Sequence, residues 1–298
     1  MSFLQKQQVK VAVAANQADN SETKMIQVYR KPAAICNGSP NLEHLSSLEE
    51  ITQFIRIEKK SIEQRVLRLG LQLRLATQQD IEAIREFQMR RFSKETLLED
   101  AYVLFRIIRF GYAILVESPD GRIVACNLCQ DYNDPDRTLW GIRNSVDPSV
   151  AGANLAAELA SYSNLIGMER GSQFRRAFFS PSNYASAANL LNHVGFVAEG
   201  LDLSVPGHHG PRFVLVMPLT PAGVKNNRID LEKIGAFMDT HRAGHDFATV
   251  AASNLDQLVE TYAKTPFKVI AFLKVGRDLA EHAFFALPAD SLNFPRKQ

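Results

Sequence analysis

Cysteine is scarce in this chain, with three among 298 residues. Cys126 and Cys129 have the CxxC spacing of redox and zinc sites, but Cys36 is remote and no second pair exists. The pair falls in a predicted strand, where residues three apart point to opposite faces. We therefore expect no metal or redox centre there. So few cysteines indicate a reducing compartment.

Long apolar runs and an excess of charge are also missing. No run reaches the roughly 20 residues of a membrane-spanning helix, and we find no signal peptide in the polar residues 1–23. The net charge of +2 is too small to predict a nucleic-acid or membrane partner. With 46% hydrophobic and 22% charged residues, the composition is that of a soluble globular protein. The cytoplasm is the expected location.

The length predicts two domains, or one domain with sizeable additions. We divide the chain into an N-terminal extension (1–70), a central domain (71–220) and a small C-terminal α/β appendage (221–298). The extension has a polar start, a short strand and a long helix that begins at Ser47, with Glu50 placed for a capping box. The appendage carries no motif. A dimerisation element and a wall over a substrate pocket both stay open as its role.

Helical and strand-like periodicities alternate through the central domain, which predicts an α/β (α+β) fold with a mixed sheet. The predicted strands are 71–76, 112–117, 123–130, 138–146, 174–179, 197–205 and 213–219, and the predicted helices are 77–91, 93–110, 154–170 and 183–193. In the appendage, helices are predicted at 231–241 and 255–264, and strands at 267–273 and 282–287.

One stretch combines a strand, a loop of small residues and a helix N-terminus. The strand ends at Val146, the chain turns at Asp147 and Pro148, and a helix runs from Asn154 to Arg170 before Gly171. The first N–H groups of a helix have no partner within it, and the helix dipole favours negative charge there. The stretch is therefore a candidate anion site.

These residues resemble the GNAT N-acyltransferases. The resemblance covers about residues 71–220, half of the chain, with four motifs in the family's order. The motifs are Leu73 to Ile81, Val146-x-Pro148 with the turn Ala151 to Ala156 and the helix end Glu169-Arg170-Gly171, then Phe178 to Pro181 with Asn183, and Val194-Gly195-Phe196.

The resemblance implies a GNAT-like mixed central sheet flanked by helices, with acetyl-CoA or another acyl-CoA as co-substrate and no metal. The strands ending near Val146 and Phe179 would be parallel neighbours that splay apart at a bulge. Backbone groups of Asn144 and Val146 would polarise the thioester. The residues implied in CoA binding are Val146, Val150, Ala151, Gly152, Ala153, Asn154, Leu155, Ala156 and Asn183. Asn183 is also a good N-cap.

The sequence departs from the family at its charged and catalytic positions. The pyrophosphate loop usually reads Gln/Arg-x-x-Gly-x-Gly/Ala, and here those positions hold Ala151, Asn154 and Ala156. This degenerate loop predicts modest CoA affinity. Leu191 stands where many members have a tyrosine acid. The base stays open between Asp131, Asp147 and an ordered water.

The resemblance implies transfer of an acyl group to an amine of a small molecule or peptide. Two alternatives stay open: an N-acyltransferase that draws its acyl chain from acyl carrier protein, and a non-catalytic GNAT-like binding domain. A homodimer is also open. We expect His241 and His245 to be exposed or capping histidines, because Gly244 weakens the helix that would pair them. His208 and His209 form a polar loop or contact substrate.

Overall fold

The computed structural model describes residues 47–92, 100–131, 137–205, 210–225, 229–240, 248–263, 267–275 and 281–288. Its strands are β1 (Gln72–Leu75), β2 (Gly111–Glu117), β3 (Ile123–Asp131), β4 (Thr138–Val146), β5 (Phe174–Phe179), β6 (Val197–Asp202), β7 (Arg212–Pro218), β8 (Ala248–Ala251), β9 (Phe267–Val275) and β10 (Glu281–Pro288). Its α-helices are α1 (Leu48–Arg68), α2 (Ile81–Arg91), α3 (Ala101–Phe110), α4 (Leu155–Glu169), α5 (Tyr184–Ala187), α6 (Pro221–Lys225), α7 (Leu231–Thr240) and α8 (Leu255–Leu258).

The strands form one mixed sheet in the order β1-β2-β3-β4-β5-β7-β6-β9-β10-β8. Helices cover both faces. Residues of α1, α4 and α5 share one apolar core with the sheet, while α2 and α3 enclose a second core against β2 and β3. The mixed sheet with flanking helices that the sequence predicts is confirmed. None of the helices in the described residues is long and apolar enough to cross a membrane.

Helix α1 packs along α4 in the opposite direction. The Ser47 capping box with Glu50 is confirmed, because each residue's side chain bonds the other's backbone N–H. The helix then follows α4 from its C-terminal to its N-terminal end. Three polar contacts mark this path: Lys59 to Glu169 at 2.5 Å, Tyr162 to Glu63 at 2.7 Å and Arg65 to Glu158 at 2.8 Å. The last turn of α1 therefore lies beside the N-terminus of α4.

The C-terminal strands repeat the arrangement of β5 to β7. Ala198 of β6 pairs with Val269 of β9, which stands 71 positions later. The same offset relates the pair Phe179–Phe213 to the pair Val250–Phe284. The bulges of the two hairpins also lie at equivalent residues.

Both hairpins and both helix starts follow the same plan. The register of β6 with β7 skips Glu199, and that of β9 with β10 skips Ile270, again 71 positions apart. Asn183 and Asn254 cap α5 and α8, and each side chain accepts the N–H of the third residue on at 3.1 Å. Each helix continues into a π-helical segment, Ala188–Val194 or Val259–Ala263. The order β5-β7-β6-β9-β10-β8 thus has an approximate two-fold axis at the Ala198–Val269 pair.

Several sequence predictions differ from the structure in detail. Strand β8 was not predicted, and it has only four residues. The helices predicted at 183–193 and 255–264 each begin as α-helix and change to π-helix after four residues. Residues 93–99 of a predicted helix, the turn 133–136 and the histidines at 208, 209, 241 and 245 lie outside the described residues. The boundaries at residues 70 and 220 stay a prediction.

Candidate functional site

The parallel pair of strands β4 and β5 opens partway along its length. Their pairing runs from Thr138 opposite Phe174 to Gly141 opposite Ala177 and stops there, although β4 continues to Val146. The register with β3 skips Ile142, which is a β-bulge. The splay at a bulge that the sequence predicts is confirmed, and it leaves a gap between the second half of β4 and β5.

The hydrogen bonds between β3 and β4 show which backbone groups of β4 face this gap. The Asp147 N–H donates to the Val124 carbonyl at 2.7 Å. Because hydrogen-bonded positions alternate along an antiparallel pair, Ser145 also bonds β3, opposite Cys126. The backbone groups of Asn144 and Val146 therefore point to the other edge, toward β5. The structure thus places both residues' amides along the gap; their role in polarising a thioester stays a prediction.

The loop after β4 turns sharply into α4. Gly152 has a φ of +86° and Asn154 a φ of +58°. The second value explains how the loop forms without the family's central glycine, since asparagine is among the few residues that enter the left-handed region readily. The Asn154 side chain does not cap the helix.

Only some of the predicted anion-binding amides are available. The N–H groups of Val150, Ala151 and Ala153 donate to carbonyls of the loop itself, those of Asp147, Pro148 and Val150. Those three are already satisfied. Among residues 150–156, the N–H groups of Gly152, Asn154, Leu155 and Ala156 donate to no backbone oxygen of the described residues. We call the left-handed turn and the first turn of α4, which carry these four N–H groups, the cradle.

The Asn144 side chain joins the gap to this cradle. Its Nδ2 donates to the Ala156 carbonyl at 2.7 Å, which fixes the amide against the first turn of α4. Its Oδ1 is buried and accepts no hydrogen bond from the described residues. A buried oxygen without a donor costs about 1–3 kcal/mol. This Oδ1 is an unused acceptor beside the first turn of α4.

Two arginines of α1 stand beside the cradle. Arg65 binds both carboxylate oxygens of Glu158, in the first turn of α4, at 2.8 Å, and this hydrogen-bonded pairing raises the pKa of Arg65. A shallow cavity adjoins the pair. Its lining comprises Arg65, Val66, Arg68, Leu69, Ala153 and Glu158. Because Arg65 neutralises Glu158, the exposed Arg68 gives this cavity a positive charge.

The two candidate bases are both engaged elsewhere. Asp131, at the end of β3, forms an ion pair with Arg170 at 2.9 Å, beside the C-terminal end of α4. Asp147 accepts the N–H and hydroxyl of Ser149, and these bonds lower the pKa of its carboxyl. The structure does not bring Asp131 to the β4 edge at Asn144. Its role as a base stays a prediction.

Asn183 and Tyr184 meet the C-terminal segment. The N-cap interpretation of Asn183 is confirmed by its bond from the Ser186 N–H, while contact with a pantetheine arm stays a prediction. Tyr184, whose exposed fraction is 37%, stacks on His282 at 4.9 Å and lies 5.5 Å from the ring of Phe272. Packing is therefore the observed role of Tyr184.

Leu191 and the cysteine pair are core residues. Leu191, at the family's tyrosine position, is fully buried. Cys126 lies in the core under α2 and α3, and Cys129 lies in the core under α4. Their placement on opposite faces, which the sequence predicts, is confirmed. Burial raises the pKa of both thiols.

Sequence reasoning missed two features of the site. The contribution of Arg65 and Arg68 could not be foreseen, because it depends on the direction in which α1 crosses α4. Arg175 lies in a strand predicted from its apolar neighbours, and alternation alone did not show which face it occupies. The signal that could have identified it is the adjacent pair Arg175 and Arg176, since neighbouring residues of a strand point to opposite faces of the sheet.

Comparison with known proteins finds partial similarity to solved structures. No protein-family model and no curated protein sequence matches the chain. A GNAT family N-acetyltransferase from Escherichia coli in complex with CoA is 14% identical, over 53% of this chain and 87% of its own, with a TM-score of 0.39. The ribosomal-protein-S5-alanine acetyltransferase of Vibrio fischeri is 16% identical, over 50% and 93%, with a TM-score of 0.41.

A spermidine N-acetyltransferase from Vibrio cholerae is 15% identical over 50% of this chain and 94% of its own, with a TM-score of 0.41. All three are described as acetyltransferases, and the first as a member of the GNAT family.

Proposed function

We propose that this chain is a GNAT-type N-acyltransferase that moves an acyl group from acetyl-CoA, or another acyl-CoA, to an amine of a small molecule or peptide. The observation that carries the proposal is the gap between β4 and β5, which opens at the Ile142 bulge and leads to the uncapped N-terminus of α4. A thioester arm and an anionic end group fit these two places.

The polar groups of the site match the parts of an acyl-CoA. The free N–H groups of Gly152, Asn154, Leu155 and Ala156 suit a pyrophosphate, and Arg68 adds a cation beside them. The orphan Oδ1 of Asn144 suits an amide N–H of the pantetheine arm. The residues present therefore fit the group.

Acyl transfer in this site needs few side chains. The neutral amine attacks the thioester carbonyl, whose developing negative charge is stabilised by a backbone N–H of Asn144 or Val146. The C–N bond forms, the C–S bond breaks, and the electron pair leaves on sulfur as a thiolate. The proton of the amine passes to water. Holding donor and acceptor in the gap supplies the remaining rate increase through proximity.

Calorimetry tests the proposal directly. Wild-type protein is titrated with acetyl-CoA, longer acyl-CoAs and phosphopantetheine, and we expect the acyl-CoAs to bind with modest affinity. Tight binding of phosphopantetheine alone would instead favour a carrier-protein donor. Absence of binding by all of them would contradict an acyl-donor site.

A glycine pair provides the matched variants. Gly152 and Gly121 both have a positive φ, +86° and +77°, and a Cβ at either would meet nothing within 4 Å. Gly152→Val strains the cradle, and Gly121→Val strains the remote β2–β3 turn by a similar amount. Only Gly152→Val is expected to weaken acyl-CoA binding. Equal losses in both variants would show that the loop is not the site.

A further inference from the structure

Arg175 of β5 is a buried cation that the proposed reaction has not yet used. Its exposed fraction is 2%. Its Nη1 donates to the Ala160 carbonyl and to Asn164 Oδ1, both at 2.7 Å, and its Nη2 lies 3.8 Å from the Cys129 sulfur. Its Nε has no acceptor among the described residues.

The charge of Arg175 has no carboxylate partner in the part of the chain that the structure describes. None of the ion pairs there includes it. Arginine stays protonated in proteins, and a buried charge is normally paired because its desolvation is costly. The guanidinium is thus held by neutral oxygens, one sulfur and the face of Phe196 at 5.6 Å.

The other ionisable groups around Arg175 do not cancel its charge. On β3, burial raises the pKa of the Cys129 thiol. On β2, burial raises the pKa of the Tyr112 phenol, which donates to the Ser163 carbonyl of α4. Asp131 of β3 is paired with Arg170 of α4 at 2.9 Å. The first two groups are neutral near pH 7, and the third already has a cation.

The guanidinium lies where β4 and β5 part. A Cβ on Gly141 would stand 3.2 Å from Nη2 of Arg175 and 3.5 Å from its Nε. Gly141 is the last residue of β4 that pairs with β5. Arg175 also shares a face of the sheet with Leu191, since α4 and the π-helical segment after α5 contribute to the same core. A positive charge therefore stands at the closed end of the gap, on the face of the sheet that α4 covers.

We propose that Arg175 stabilises the thiolate that leaves when the acyl group is transferred, in place of a side-chain acid. The inference rests on the proposed acyl transfer. As the C–S bond breaks, negative charge develops on the sulfur and is attracted by the buried guanidinium. The surroundings have a low dielectric constant, so the two charges interact more strongly than in water. No proton moves from Arg175; water protonates the thiolate after release.

The ionisation of bound CoA measures this effect without turnover. Free CoA and desulfo-CoA, which lacks the sulfur, are titrated into wild-type protein by calorimetry from pH 6.5 to pH 10. If Arg175 favours the thiolate, the affinity ratio of CoA to desulfo-CoA rises with pH by about ten-fold, which corresponds to a thiol pKa about one unit lower when bound. Thiolate absorbance of the complex gives the same pKa independently.

Three variants test whether Arg175 causes the rise of the affinity ratio with pH. Arg175→Met removes the charge and is expected to abolish the rise, whereas Arg175→Lys is expected to keep part of it. Cys129→Ala removes the nearest protein thiol and is expected to leave the rise unchanged, which shows that the CoA sulfur titrates.

The outcomes separate the two proposals. If wild type binds neither CoA nor desulfo-CoA, the acyl-donor site itself is wrong. If both bind with a ratio that does not change with pH, the donor site stands and the role of Arg175 is overturned. The same holds if Arg175→Met folds and keeps the full rise. Should Arg175→Met fail to fold, the wild-type ratio and Arg175→Lys still decide.

Discussion

Ala198 and Val269 lie opposite each other between β6 and β9, and they occupy the same position in two copies of one β–α–β–β unit. Their partners in the hairpins, Leu215 and Ala286, are equivalent as well. The C-terminal segment is therefore built on the same plan as the second half of the central domain. In the described residues the segment has counterparts of β5, β6 and β7 but none of β4. It therefore has no equivalent of the gap between β4 and β5.

The second β–α–β–β unit, β8 to β10, covers the edge of β6 within the same chain. An exposed edge strand can pair with a second molecule, and here β9 takes that place. The contact is reinforced by Asn192, whose side chain bonds both backbone groups of Phe272. Support of the central sheet is thus the role that the geometry favours for the segment.

We expect Asn192→Ala to destabilise the junction between the two units. The buried Asn192 amide donates to the Phe272 carbonyl at 2.7 Å and accepts its N–H at 2.9 Å. Losing both partners should cost about 2–4 kcal/mol. Urea unfolding measures this, with hydrogen exchange to localise the loss to β9. The control is Asn189→Ala in the same π-helical segment, expected within about 0.5 kcal/mol; equal effects would contradict a specific clamp.

The sequence predicted most elements but not this repeat. Strands and helices follow from periodicity, and the caps at Ser47 and Asn183 follow from local chemistry, so these predictions hold. The two units conserve register, bulge and cap while their core residues differ in size, as at Leu191 and Tyr262. Side-chain comparison therefore carries little signal of the repeat. Contacts set by tertiary crossing, such as Arg68 beside Ala153, have no local signature at all.

Asn154 allows a direct test of backbone strain in the cradle. Its φ of +58° lies in the left-handed region, and its side chain makes no capping bond. Asn154→Ala should therefore lose about 1 kcal/mol through backbone strain alone, while Asn154→Gly should match or exceed wild type. Urea unfolding of the three proteins checks the order. An alanine variant as stable as the glycine variant would contradict it.

Arg68 should contribute to acyl-CoA binding although it lies outside the resembling segment. It lines the cavity beside Ala153, where the loop lacks the family's cationic or amide side chain. We expect Arg68→Ser to weaken CoA binding several-fold, and less so at high salt, because the contact is exposed and screened. Lys60→Ser removes an equally exposed charge of α1, two turns away, and should leave the affinity unchanged. Calorimetry at two salt concentrations separates a local contact from a net-charge effect.

The Arg74–Asp80 pair should give the fold a defined acid sensitivity. Two hydrogen bonds from Arg74, at 2.6 and 2.9 Å, lower the pKa of Asp80 to about 2. Because the folded pKa is below the unfolded value of about 3.9, the stabilisation is present above that value and is lost as pH falls toward 2. Asp80→Asn should therefore lower the melting temperature at pH 7, and the difference from wild type should shrink between about pH 4 and pH 2. Glu82→Gln, an exposed change in the first turn of α2, should show little difference at any pH.

The proposed acyl transfer should show a single limb in its dependence on pH. The rate should rise as the acceptor amine loses its proton, and no falling limb should follow, because the buried Leu191 has no proton to donate and a guanidinium is not a proton donor in proteins. The exposed His193 follows Leu191 by two positions, and His193→Ala should leave turnover within a few-fold. Rates of acyl transfer from pH 6 to pH 10 give both results. A bell-shaped profile, or a loss of about 10²-fold in the histidine variant, would show that a side-chain acid takes part. Stabilisation of the thiolate by the charge of Arg175 would then not be sufficient.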